Sequence, residues 1–146
     1  MRAFLIALSV VSAASATFFQ DCGSKASDIV FNLEGCDEIP CLLKRGETYA
    51  VNFQFTASEA SSSLTIGATA SIAGINVPWP GLDTDGCAWL EGSDTPCPYA
   101  GGARVDWTMQ AEVLSAYPTI SSVATFKLID DQGVFQTCAA VPFTIV

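Results

Sequence analysis

The sequence contains no histidine, and only six basic side chains stand against 15 acidic ones. Without histidine the chain lacks the commonest general base near neutral pH and the commonest metal ligand. A formal charge of −9 points away from nucleic acid, because phosphate backbones are held by basic faces. No stretch approaches the ~20 apolar residues that a membrane-spanning helix needs, so stable membrane insertion is not expected. A Gly-x-Ser-x-Gly elbow and a phosphate-cradling glycine loop are both missing, and no imidazole is present to activate a serine. These gaps argue against an enzyme and against a cofactor. The chain also lacks an Asn-x-Ser/Thr sequon, the acceptor for an N-linked glycan.

What is present is 146 residues, half of them apolar and only 14% charged, which suits one domain with a genuine core. Residues 1–16 have the form of a secretory signal peptide. Arg2 supplies the positive start, Ala3 to Val11 the short apolar run, and Ala14-Ser15-Ala16 the small-x-small cleavage pattern. The expected mature chain, residues 17–146, is a single domain, secreted and extracellular. It carries 15 acids against five bases, a formal charge of −10.

All six cysteines (Cys22, Cys36, Cys41, Cys87, Cys97 and Cys138) fall in the mature part, an even number in an oxidising compartment. A zinc site would want two close Cys-x-x-Cys pairs, and there are none. Six cysteines allow fifteen pairings, among which sequence alone does not choose. Proximity favours Cys36 with Cys41 and Cys87 with Cys97, which leaves Cys22 with Cys138.

The apolar periodicity is that of strands. Tyr49, Val51, Phe53 and Phe55 alternate with polar or small residues, as do Val105, Trp107, Met109, Ala111 and Val113. Leu64, Ile66, Ala68, Ala70 and Ile72 form a run of mostly smaller residues. Further strands are expected near Ala26 to Leu33, over Ile120 to Ile129 and over Val134 to Val146, the last two joined by a turn at Asp130-Asp131-Gln132-Gly133. No helical spacing is evident. Six or seven strands in this length define an antiparallel β-sandwich.

Few residues suggest chemistry. Asp83-Thr84-Asp85-Gly86 superficially resembles a calcium loop, but the sixth and twelfth positions are Ala88 and Asp94 rather than glycine and glutamate. It is expected to be a turn, and no metal site is expected. Asp130 and Asp131 are expected to be solvated acids of a hairpin rather than a catalytic pair. Pro78-Trp79-Pro80 is more informative, since proline is confined to sheet edges and strand ends. Its tryptophan could plug the core or gate an apolar cavity, and from pattern alone the plug is favoured. Tyr117-Pro118 is a second aromatic at a similar position.

The ordered set Phe19-Gln20-Asp21-Cys22-Gly23-Ser24, Pro40-Cys41 with Gly46, Tyr49 to Thr56, Gly74 to Pro80, Asp85-Gly86-Cys87, Cys97-Pro98, Tyr117-Pro118 and the closing hairpin with Cys138 resembles the ML lipid-recognition domain family. Within it, the small soluble sterol carriers of the Niemann–Pick type and the mite group-two allergens are most similar. The resemblance covers essentially the whole mature chain. It implies a seven-stranded, all-β, immunoglobulin-like sandwich with a lipid cavity between the sheets, and it implies the same three disulfides. Trp79, Tyr117 and Val113 match positions that form the pocket and its mouth in the sterol carriers, which reverses the preference for Trp79 as a plug. Strand alternation adds Phe53, Phe55, Ile66, Ala68, Trp107, Met109 and Phe126 as inward-facing candidates, though some of these must simply fill the core.

The implied function is that of a secreted, monomeric carrier of a sterol, fatty acid or similar hydrophobic ligand, with Tyr117 as hydrogen-bond donor at the mouth. The missing sequon gives no support to glycan-tagged delivery to lysosomes, and the acidity disfavours docking on anionic membranes. The other class the resemblance leaves open is an innate-immune recognition module that presents microbial lipid to a receptor.

Overall fold

A computed structural model of the chain describes residues 17–146; the expected signal peptide, residues 1–16, lies outside the described residues. The described strands, in chain order, are β1 (Gln20–Asp21), β2 (Ser27–Leu33), β3 (Cys41–Leu43), β4 (Thr48–Thr56), β5 (Leu64–Ile72), β6 (Ile75–Pro78), β7 (Arg104–Glu112), β8 (Ser121–Asp130) and β9 (Phe135–Ile145). Seven of them have four or more residues. They form two sheets of unequal width: β2-β4-β7 on one side, and β1-β9-β8-β5-β6 on the other, with β3 also paired to β9.

The alternating segments become strands because one face of each can be buried. On β7, Val105, Trp107, Met109 and Ala111 are buried while Arg104, Asp106, Gln110 and Glu112 are exposed. β4 lies beside it in register, Phe53 opposite Trp107 and Phe55 opposite Val105. From the wider sheet, Leu64, Ile66, Ala68, Ala124, Phe126, Leu128, Ala139, Val141 and Phe143 complete the same core. Phe31 joins the two layers, with ring centroids 5.0 Å from Phe53 and 5.9 Å from Phe126. Tilted contacts at such distances add to what area burial alone contributes.

Three short strands are absent from the periodicity because none is long enough to show one: β1, β3 and β6. β3 also departs from the antiparallel expectation, pairing parallel to the end of β9, with Cys41 opposite Phe143. β6 is an edge strand that closes on Pro78, a position where the missing N–H costs no ladder bond. The β5–β6 connection is the two-residue turn Ala73-Gly74, both residues at positive φ, as the twist of a tight hairpin demands.

Asp130 corrects an expectation. It is buried rather than solvated: Oδ1 accepts the N–H groups of Gln132 and Val134 at 2.9 Å, and Oδ2 accepts from the Gln136 amide at 3.0 Å. A carboxylate so fully engaged organises the hairpin and its neighbour β9. Asp131 is exposed and accepts from Ser62. The segment at Asp83 is a turn, as expected: Asp83 accepts from the Asp85 N–H at 3.0 Å, and Asp85 caps a 3-10 turn, Gly86–Leu90, by accepting from Cys87 N–H.

The disulfides are Cys22–Cys138, Cys36–Cys41 and Cys87–Cys97. The first fastens β1 to β9 across a sequence separation of 116. A loop of that length makes this crosslink worth about 4–5 kcal/mol in the chain-entropy model. The double variant Cys22→Ala/Cys138→Ala is expected to lose a comparable amount in urea unfolding, the largest loss among the three disulfide removals.

Candidate functional site

Burial along the inner face of β5 falls toward one end of the sandwich. Leu64 is 2% exposed and Ile72 is 38% exposed, although both belong to the same alternating row. The reason is incomplete overlap, because no strand of the three-stranded sheet lines the space over this end of β5. A cavity of about 220 Å³ occupies the gap. Its floor is Ala70 and Ile72 of β5, Val77 and Pro78 of β6, Phe143 and Ile145 of β9, together with Ile120. Its cover is Trp79-Pro80 and Tyr117-Pro118. No strand of the three-stranded sheet contributes a lining residue. The space therefore lies on the inner face of the large sheet, roofed by two connecting segments.

Trp79 is fixed at three points. Its backbone N–H donates to the Ala68 carbonyl at 2.9 Å, which extends the β5–β6 ladder by one rung. Its ring stands edge-on to Tyr117, with centroids 6.5 Å apart, and lies 6.2 Å from Phe126. Its indole Nε1–H donates to the Glu112 carbonyl at 3.2 Å. Glu112 ends β7 in the opposite sheet, so this bond ties the two layers together at the cavity mouth.

Tyr117 carries the one side-chain hydroxyl among the lining residues. Its hydroxyl is buried and has no hydrogen-bond partner among the described residues. An unsatisfied buried hydroxyl costs free energy that a ligand acceptor would recover. Burial, with the Glu112 charge adding to it, pushes the phenol above its usual pKa. Tyr117 is therefore a neutral donor throughout the physiological range.

Of the ten sequence-derived ligand candidates, Trp79 and Tyr117 line the cavity. Phe126 stands behind Trp79. Phe53, Phe55, Ile66, Ala68, Trp107, Met109 and Val113 are buried in the core beside or beyond it and are not among the residues of its wall. The lining residues not among those candidates are Ala70, Ile72, Val77, Pro78, Pro80, Pro118, Ile120, Phe143 and Ile145. Ile72, Ile120, Phe143 and Ile145 continue alternating rows already visible in the sequence. Among the described residues, no group of three or more His, Cys, Asp or Glu side chains could hold a metal ion. None of the helices there is long and apolar enough to cross a membrane.

These features define a class: an open immunoglobulin-like β-sandwich with an apolar cavity closed by an aromatic rim. The chain belongs to the ML domain family, whose sequence profile matches residues 16–145. It is 34% identical over 142 residues to the mouse (Mus musculus) NPC intracellular cholesterol transporter 2, covering 97% of this chain and 93% of that one. It is 30% identical over 138 residues to the mite group 2 allergen Lep d 2 of Lepidoglyphus destructor, covering 94% and 92%. In fold it is similar to the crystal structure of a Niemann-Pick type C2 protein from Japanese carpenter ant. The TM-score there is 0.74 at 24% identity, covering 88% of this chain and 99% of that chain.

Replacing the rim tryptophan while keeping an aromatic separates the inter-sheet bond from the ring contacts. Trp79→Phe removes the donor to Glu112 and is expected to lower stability by about 0.5–1 kcal/mol in urea unfolding. Trp79→Ala, which also loses the contacts with Tyr117 and Phe126, is expected to cost more.

Proposed function

We propose that the protein is a secreted carrier that holds one small hydrophobic molecule, a fatty acid, sterol or similar lipid, beneath Trp79 and Tyr117. The observation that carries this reading is an apolar cavity walled in part by Tyr117, whose buried hydroxyl lacks a partner among the described residues. The transfer of apolar surface from water into such a site gains roughly 25 cal/mol per Å², less the cost of ordering the ligand. A hydroxyl or carboxylate at the mouth accepts from Tyr117 and sets the ligand's direction. No bond is made or broken, so the reading is non-enzymatic, and membership alongside a relative named as a cholesterol transporter supports it.

The cavity of about 220 Å³ is smaller than the roughly 300–1,000 Å³ typical of small-molecule sites. An acyl chain enters with little rearrangement. A sterol requires the sheets to part, and the space then opened is bordered first by Phe126, Ala68 and Ile66. Val113, Met109, Trp107, Phe55 and Phe53 of the facing layer follow. A narrow, tryptophan-closed cavity also favours a monomeric carrier over a receptor-presenting recognition module, which needs a wide one. Three disulfides support an extracellular destination, since such bonds persist in oxidising compartments.

Mass spectrometry of lipid extracted from the protein as purified from its own secretion tests the proposal, with Trp79→Ala assayed for uptake in parallel. One lipid class is expected, retained less by the variant. An empty protein in which parent and variant alike take up no lipid overturns the reading.

The titration behaviour gives a second expectation. The chain has no histidine, and the Tyr117 phenol ionises only above its usual range. Affinity for a non-ionising ligand such as a sterol is accordingly expected to change less than about threefold between pH 5.5 and 8.5 in a fluorescence displacement assay, since neither form of control titrates there. Because the folded-state value is raised, Tyr117 begins to reduce stability only as pH climbs past the unfolded value near ~10.

A further inference from the structure

A second concavity, of about 650 Å³, lies on the opposite side of the three-stranded sheet from the core. Its base is Arg104, Asp106 and Thr108, the outward-facing row of β7. Its wall is the Cys87–Cys97 loop, which places Trp89, Asp94 and Thr95 along it. Trp89 is 38% exposed, an unusual setting for a side chain of that size, whose burial elsewhere in the chain is near complete at Trp107.

The loop that presents Trp89 is held rigidly. The disulfide closes it, and its neighbour Leu90 is fully buried. Thr95 Oγ1 donates to the Arg104 carbonyl at 2.8 Å, and Ser93 Oγ donates to the Leu90 carbonyl at 2.7 Å. The base is ordered as well, because the Asn52 amide donates to Asp106 Oδ1 at 2.6 Å and to Thr108 Oγ1 at 2.8 Å. Polar capacity nevertheless remains unspent. The Asp94 carboxylate has no hydrogen-bond partner among the described residues, and Asp106 keeps its second oxygen. Arg104 uses Nη1 on the Asp28 carbonyl and on Thr56 and pairs with no carboxylate among the described residues.

We propose that this groove is a second binding site, separate from the lipid cavity, and that its ligand is a neutral saccharide. A pyranose ring has an apolar face of C–H bonds that stacks on an exposed indole, and a rim of hydroxyls that each donate and accept. Asp94 and Asp106 accept from such hydroxyls while Arg104 donates to them. An anionic ligand would face two carboxylates on a strongly acidic protein, and a purely cationic one would leave the remaining Arg104 N–H groups without an acceptor. A neutral polyhydroxylated ligand satisfies both signs at once.

The intact mature protein, disulfides formed, is titrated by calorimetry with cellohexaose, laminarihexaose, maltohexaose, mannohexaose and chitohexaose, and with a sulfated heparin hexasaccharide for contrast. Millimolar or tighter binding of at least one neutral hexasaccharide is expected. Trp89→Ala is expected to weaken it at least tenfold and Asp94→Asn several-fold, while lipid uptake stays at the parental level in both, which shows that the variants are folded. Absence of binding by every neutral sugar, binding of the sulfated sugar alone, or neutral-sugar binding that survives Trp89→Ala overturns the proposal.

Discussion

The structure depends on one mismatch, that between a three-stranded sheet and a wider sheet that must bury the same kind of apolar face. Where the two overlap, the hydrophobic drive is satisfied by interdigitation, and the interior around Phe31, Phe53, Trp107 and Phe126 is filled. Where the larger sheet extends past its partner, Ala70, Ile72, Phe143 and Ile145 face a space that no opposing strand supplies. Two proline-flanked aromatics roof that space instead. The cavity is thus the residue of incomplete coverage rather than an excavation in a packed core.

That origin explains how much the sequence discloses. Six alternating or apolar segments announce a sandwich because a half-buried strand must alternate, and six of the nine described strands lie on them. The remaining three carry no periodicity, being held by neighbours: β1 by the disulfide to β9, β3 by parallel pairing with β9, and β6 by a tight turn from β5. Asp130 was misjudged because proximity to a turn indicates exposure, whereas its oxygens are claimed by three donors that only the folded hairpin brings together.

The site was legible at its rim and not at its floor. Trp79 and Tyr117 stand out through their prolines, which fix local backbone wherever the chain goes. The floor residues share alternating rows with true core residues, and alternation reports only which side of a sheet a residue takes. Whether that side meets a facing strand depends on how far the opposite sheet reaches. Ile66 and Ile72 occupy one row and read alike in sequence; one is in the core and the other at the cavity.

The covalent bonds are distributed unevenly in a way that bears on how this sandwich deforms. Cys22–Cys138 fastens the residue after β1 to β9 of the same sheet, and the other two disulfides close local loops; none ties a strand of one layer to a strand of the other. Immunoglobulin domains of the antibody type rivet their layers together with such a bond. Here the layers adhere through apolar contact, through Gln136 of β9 on Ser58 just beyond β4 and, at the mouth, through the indole of Trp79 on the Glu112 carbonyl. The layers can therefore part at the mouth by giving up non-covalent contacts alone, as a clasp opens, with no covalent link to break.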